Sequence, residues 1–267
     1  MRILLLALCL ISYASSTAAA LVVCADPNDL PFSNQAGQGF ENKIVALLAR
    51  DMDTQVTYLW WPQRRGFVRK TLNAAKCDLW PGVVSGLDTV TVTQPYYRST
   101  YVFVSRKKSA LQNLTLDDPR LKQCLIGVQM IGNDATNTPP AHAIASRGIT
   151  DNVRGYMLVG DYGRPNPKAV IIDALADGTI DVALVWGPLA GYFAQASSVP
   201  LRIEPVTPAN DARWPMAFDI SLAVRRGDFV LRDKLDATLE RDKAAVDAIL
   251  RSYGVPFAHR TSPVAMH

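Results

Sequence analysis

Strand-like runs alternate with amphipathic helical stretches along nearly the whole chain, and this alternation limits the fold more than any other feature. Parallel strands need a long crossover, usually a helix, so the pattern predicts α/β layers and excludes a helical bundle or an antiparallel sandwich. Leu21–Ala25 reads as a first strand, and residues 40–52 as a helix with Ile44, Leu47 and Leu48 on one face. A strand at 56–60, a helix at 66–75 and strands at 78–84 and 97–105 complete a first series, and the polar Arg106-Lys107-Lys108-Ser109 marks a boundary. A second series begins at Leu125-Ile126-Gly127-Val128 and has helices opening at Pro139-Pro140 and Pro167, where the missing N–H costs nothing. Its other elements are strands at 154–159, 180–185 and 201–203 and a helix at 188–195. A strand at 218–224 and one long helix over 230–253, stopped by Gly254 and Pro256, close the pattern.

The N-terminus has one positive residue, Arg2, an apolar run over 3–11 and Thr17-Ala18-Ala19-Ala20 before Leu21. That is the pattern of a secretory signal over residues 1–20, too short to span a bilayer, and Cys9 lacks the small follower of a lipidated cysteine. No later run approaches about 18 apolar residues, so the exported chain is expected to be soluble and not to span the membrane. Of the remaining cysteines, Cys24 and Cys77 would close a loop of about fifty residues. Parallel strands in register would hold them about 10 Å apart, so the sequence leaves the bond open. His142, His259 and His267 do not cluster at metal-ligand spacing, and no metal is expected. With 28 Lys and Arg against 24 Asp and Glu, and no dense basic patch, nucleic acid is not an expected partner. Three glutamates, Glu41, Glu204 and Glu240, and no nucleophile elbow, zinc helix or phosphate loop argue against an enzyme and against a cofactor.

Two α/β series behind a secretory signal suggest a two-lobed solute-binding protein, and several segments sharpen this. The stretch from Cys24 to Phe32 followed by Gly39-Phe40-Glu41-Asn42 resembles the start of amino-acid-type binding proteins. Asp78 and Asp181, each after a short turn, resemble the residues that begin the cleft-directed strands, and Gln94-Pro95-Tyr96-Tyr97 and 223–228 resemble hinge-side strands. The segments 60–69, 95–99, 151–156 and 186–193 together resemble the MxaJ/XoxJ family. That resemblance implies a type II periplasmic-binding-protein-like fold whose two lobes are joined by a hinge. It also implies a non-enzymatic accessory role beside a quinoprotein (PQQ) methanol dehydrogenase, calcium- or lanthanide-dependent, and its cytochrome c. The expected organisation is lobe 1 over 21–107 and 214–257, lobe 2 over 108–213, a tail over 258–267, and a monomer.

Amino-acid binders compensate both charges of a zwitterion in the cleft. Here Ser85-Gly86-Leu87-Asp88 stands where that pattern has Thr-x-x-Arg, and Trp186 where it has a carboxylate. Aromatic residues replace the charges: Trp61, Tyr97 and Trp186 are expected to edge an open cleft, with Phe32 in the first loop and Tyr192 nearby, while Trp60, Phe67 and Phe193 are expected in the core. Arg64 and Arg65 read either as solvated charges at a helix start or as guanidinium groups for a partner carboxylate. Asp26 and Asp29 read as caps of the loop into the first helix, or as ligands of a cationic group. Asn133 and Asp134 are expected at the lobe 2 edge of the cleft. Two alternatives remain at this level: the substrate-binding component of an ABC importer for a small organic solute, and a periplasmic lyase, for which Asp26 and Asp134 are the candidate acid/base groups.

Overall fold

The computed structural model describes residues 20–131, 137–158, 162–211 and 214–259. The expected signal lies outside the described residues except for Ala20, as do Asn133, Asp134 and the tail beyond His259. Nine longer strands, β1 (Leu21–Ala25), β2 (Val56–Trp60), β3 (Leu79–Val84), β4 (Tyr97–Arg106), β5 (Ile126–Met130), β6 (Val153–Met157), β7 (Val182–Trp186), β8 (Leu201–Pro205) and β9 (Ala217–Val224), join Thr91–Val92 in one ten-stranded sheet. Its order is β2-β1-β3-β9-β4-β7-β5-β6, with β8 also on β4. β1, β2 and β3 are parallel to one another, as are β5, β6 and β7, so each lobe has its own parallel set.

The antiparallel β4 and β9 join the sets. Tyr97 to Thr100 pair with β9, and from Tyr101 onward β4 pairs with β7 and, from Val102, with β8. The two lobes therefore share hydrogen-bonded strands instead of being tied only by loops. Arg98 pairs with Asp219 at 3.1 Å across this junction.

Among the described residues seven α-helices pack with the sheet: α1 (Phe40–Asp51), α2 (Phe67–Lys70), α3 (Pro139–Ala145), α4 (Val170–Ala176), α5 (Gly187–Ala196), α6 (Phe229–Arg241) and α7 (Lys243–Ser252). In lobe 1, Phe40, Ile44 and Leu48 of α1 meet Leu235, Val246 and Leu250 over the sheet, while Cys24, Phe67, Leu72 and Cys77 pack together elsewhere. Lobe 2 has two clusters, one around Ile171, Leu175 and Val185, the other around Phe103, Ile126 and Ile144. Helices over both faces of a parallel sheet explain why its strands read as unbroken apolar runs. α5 docks beside the hinge only because its contact residues are glycines: a Cβ on Gly191 would stand 1.9 Å from the Gly254 carbonyl oxygen, and one on Gly187 2.5 Å from that of Thr100.

One device recurs in both lobes. Asp78 accepts the Val22 N–H at 2.9 Å and a bond from Arg225 at 2.8 Å, and Asp181 accepts the Leu125 N–H at 2.9 Å and a bond from Arg106 at 3.1 Å. Each aspartate thereby fixes the entry of a neighbouring strand whose far end reaches the cleft.

Two helices differ from the sequence pattern. Residues 66–75 form one α turn and a 3-10 turn, Leu72–Ala74, because Thr71 (φ −120°, ψ −87°) leaves helical geometry. The single helix expected over 230–253 breaks at Asp242 (φ −90°, ψ 7°). An unbroken helix of that length would extend about 36 Å; the break returns Val246 and Leu250 to α1. The tail begins in contact, since the Ala258 N–H donates to the Arg98 carbonyl at 3.0 Å.

Cys24 and Cys77 form a disulfide with Cα atoms 5.7 Å apart. Cys77 is no rung of β3, whose Leu79 pairs with Val23; the chain reaches it from the left-handed Ala75 (φ 53°), so the separation of an in-register pair does not arise. Closing a 53-residue separation implies about 4 kcal/mol from loop entropy. Cys24→Ser with Cys77→Ser should lose about that much in urea unfolding. An unchanged midpoint would show that the bond carries no such stability.

Candidate functional site

The parallel strands of both lobes point their carboxyl ends at one cleft, the usual place for a ligand in an open α/β sheet. A cavity of about 380 Å³ lies there. β4 contributes Tyr97 and Tyr101, β9 contributes Phe218 and Ile220, and Trp186 closes the end of β7. The Trp186 ring meets Tyr101 and Phe218 edge-on, with centroids 5.2 and 6.0 Å away, and its backbone N–H donates to Gln129 Oε1 at 3.0 Å. Phe32, Val84, Ile131 and Leu189 add further apolar wall.

The polar end holds Glu41, Asp29 and Lys168. Asp29, buried, forms an ion pair with Lys168 of the other lobe. Burial pushes the Asp29 carboxyl up to about 6 against the opposing pull of Lys168. Lys168 Nζ also lies 4.9 Å from the Phe32 ring centroid. Glu41 is only 7% exposed, and among the described residues nothing hydrogen-bonds its carboxyl. Burial raises it to about 8, reinforced by the Asp29 charge and opposed by Lys168. The carboxyl fits because Gly82 (φ 76°) lies beside it: a Cβ there would stand 2.0 Å from Glu41 Oε1.

Direct bonds span the cleft. Asp26 accepts the Asn28 N–H at 2.9 Å, the Gln63 N–H at 2.7 Å and the Tyr162 hydroxyl, from lobe 2, at 2.7 Å. Asn28 Nδ2 donates to the Arg164 carbonyl at 2.9 Å, and the Arg64 guanidinium lies 5.7 Å from the Tyr162 ring centroid. The cleft is therefore bridged, not open as the aromatic composition suggested, because both rims carry hydrogen-bonding groups that reach each other.

Asp29, Phe32, Tyr97 and Trp186 come together at the cavity, with Asp26 and Arg64 at the bridge. The other candidates lie elsewhere. Trp61 follows β2 as expected, but its ring packs with the disulfide cluster under Lys76 Nζ, 5.3 Å from the centroid. Tyr192 stacks on Tyr253 at 5.5 Å, on the side where α5 meets the end of α7. Ser85 bonds to Ser221 Oγ at 2.7 Å on the sheet, and Arg65 is exposed in the loop after β2. Asp26 accepts the Asn28 N–H in the loop into the first helix, Asp29 pairs with Lys168 instead, and the start of α1 is served by Asn42 Oδ1, which accepts the Gly39 N–H at 3.1 Å. Sequence reasoning missed Glu41, Lys168, Gln129, Tyr101 and Phe218. Glu41 left a signal, for it shares the apolar face of Val45 and Leu48; Lys168 left none.

No protein-family model matches the chain. It is 32% identical over 256 residues to Protein MoxJ of Methylorubrum extorquens, covering 91% of this chain and 83% of that protein. Protein MoxJ of Paracoccus denitrificans is 29% identical, covering 94% and 93%. Among solved structures, the periplasmic binding protein XoxJ from Methylobacterium extorquens AM1 is 35% identical with a TM-score of 0.74, covering 90% of this chain and 100% of that one. MxaJ from Methlophaga aminisulfidivorans MPT superposes with a TM-score of 0.78 at 23% identity and the same coverage, a likeness of fold.

Glu41 makes stability fall as pH rises. Its folded-state value of about 8 exceeds the ordinary 4.5, so the native state binds the proton more tightly, and stability is lost progressively between those values. Glu41→Gln should therefore match the parent near pH 4.5 and exceed it by a few kcal/mol above about pH 8 in denaturant titrations. A difference that does not change with pH would contradict the burial argument.

Proposed function

The chain belongs to the MoxJ/MxaJ/XoxJ family, and we propose that it serves as a non-enzymatic periplasmic accessory of a quinoprotein methanol dehydrogenase, binding that enzyme or assisting its maturation. The observation that carries this reading, beside family membership, is the composition of the cleft. Among the described residues no arginine lines the cavity, and Lys168, its cation, is engaged by Asp29. A zwitterionic solute would find no unengaged cation for its carboxylate. The cleft margins instead offer apolar surface, with Val84 48% exposed on lobe 1 and Ile131 58% exposed on lobe 2. Exposed apolar residues on a surface that also carries Arg64 and Arg65 have the composition of protein-binding surfaces, where central anchors contribute about 2 kcal/mol or more each. In this reading the lobes comprise 21–107 with 214–257, and 108–213. The monomer meets the dehydrogenase, calcium- or lanthanide-dependent, along the bridged cleft margin.

Cross-cleft bonds such as Asp26 to Tyr162 favour one rival, an importer's binding component that closes on a small solute. Calorimetry separates the two. The accessory reading expects no heat from the common amino acids, whereas micromolar binding of one would favour the importer.

Affinity capture from periplasm with the tagged protein should retain the dehydrogenase, and apo-dehydrogenase should gain activity when the protein is added. Val84→Ser with Ile131→Ser should weaken capture by about tenfold or more, as expected when two anchors are lost. Neither retention nor gain of activity would overturn the accessory role.

A further inference from the structure

Among the described residues, Glu41 is a carboxyl group that the fold buries without giving it a hydrogen-bond partner. Leaving a buried polar group without a hydrogen bond costs about 1 to 3 kcal/mol, more for a charge, so a sequence that keeps one in a cavity wall keeps an unfilled valence there. Lys168 does not fill it, being paired with Asp29. Gly82 leaves the carboxyl room, and the aromatic groups of Tyr97, Trp186 and Phe218 line the same cavity. We propose that this cavity binds a small organic ammonium ion that has an apolar body and no carboxylate, with its nitrogen on Glu41 and its body against the aromatic wall.

Charge balance selects that class. With Glu41 protonated, the Asp29–Lys168 pair leaves the site neutral, and an ammonium bound to ionised Glu41 leaves it neutral again. An anion would face Asp29 and Glu41. A zwitterion could neutralise its carboxylate only by taking Lys168 from Asp29. A neutral alcohol would fit the wall but gain no charge-assisted bond, which is roughly twice as strong as a neutral one. Aromatic faces around the ammonium add cation–π attraction. The volume, about 380 Å³, lies at the small end of ligand pockets, and the bridged rim suits an enclosed small molecule more than a chain segment. This inference rests on the cavity alone and stands or falls separately from the dehydrogenase reading.

Binding carries a proton balance: the ammonium arrives protonated, Glu41 loses its proton, and that proton leaves to the buffer. The other titratable groups acting on Glu41 are Asp29 and Lys168 on the cleft side and the phenols of Tyr58, Tyr96 and Tyr97. The three phenols are all raised by burial and stay protonated, and Asp29, pushed up to about 6, is mostly ionised at pH 7, so the proton released there is mainly that of Glu41.

The test is titration calorimetry of the full chain with phenethylamine, in pairs of buffers that differ in ionisation enthalpy. Most of a proton should be released per ligand at pH 7 and almost none, net of the amine's own titration, at pH 9, with Kd falling several-fold from pH 6 to pH 7. 2-Phenylethanol, phenylacetate and phenylalanine should each bind at least about tenfold more weakly. Glu41→Gln, checked for folding by its thermal transition, should weaken the amine by a similar factor and abolish the proton release. Absence of amine binding at millimolar concentration, binding without proton release at pH 7, or equal binding of the alcohol would overturn the proposal. The proton count uses the unaltered protein, so it decides the matter even if the variant does not fold.

Discussion

Strand β4 is the constraint on which the rest of the structure depends. One end of it is hydrogen-bonded into lobe 1 through β9, and the other into lobe 2 through β7 and β8. Because side chains alternate along a strand, Tyr97 and Tyr101, four apart, reach the same face, and both line the cavity at the point where the partner strands change. Asp78 and Asp181 hold strand entries at the far ends of the two parallel sets, so the opposite, carboxyl ends meet at the cleft. The position of the site thus follows from sheet connectivity before any site residue is chosen.

Chemistry enters through desolvation. Asp29 and Glu41 share one polar end, and the ion pair with Lys168 from lobe 2 goes to Asp29. Burial, reinforced by the Asp29 charge and only partly opposed by Lys168, keeps the proton on Glu41 to about pH 8. The Asp29–Lys168 pair that bridges the lobes lies beside this carboxyl, so the approach of the lobes and the state of Glu41 are linked. Asp26 meets a different surrounding: it accepts hydrogen bonds from two backbone N–H groups and from the Tyr162 hydroxyl.

Much of the architecture was legible, because strand and helix periods are short-range properties. β1, α1 and β2 fall where alternation and the Ile44, Leu48 face place them, and proline marks the starts near Pro139 and Pro167. The misjudged elements required tertiary information. The break at Asp242 brings Val246 and Leu250 back against α1, and residues 66–75 leave helical geometry at Thr71; neither turn is written in the apolar period. Site residues were legible where strand ends carried them, as with Trp186 and Asp29. Trp61 was misplaced because strand direction fixes a Cα but not which side its ring takes. Lys168 was invisible, since an interlobe ion pair has no sequence period, whereas Glu41 was overlooked although a carboxyl on an apolar helix face is itself a signal.

The account centres on one protonated, desolvated carboxyl in a cavity between two lobes. With three glutamates in the sequence, carbon-13 labelling of glutamate gives three side-chain carboxyl signals to follow by NMR. The signal that disappears in Glu41→Gln is expected to titrate near pH 8. If it titrates instead near the ordinary 4.5, Glu41 is solvated and the cavity chemistry described above is wrong.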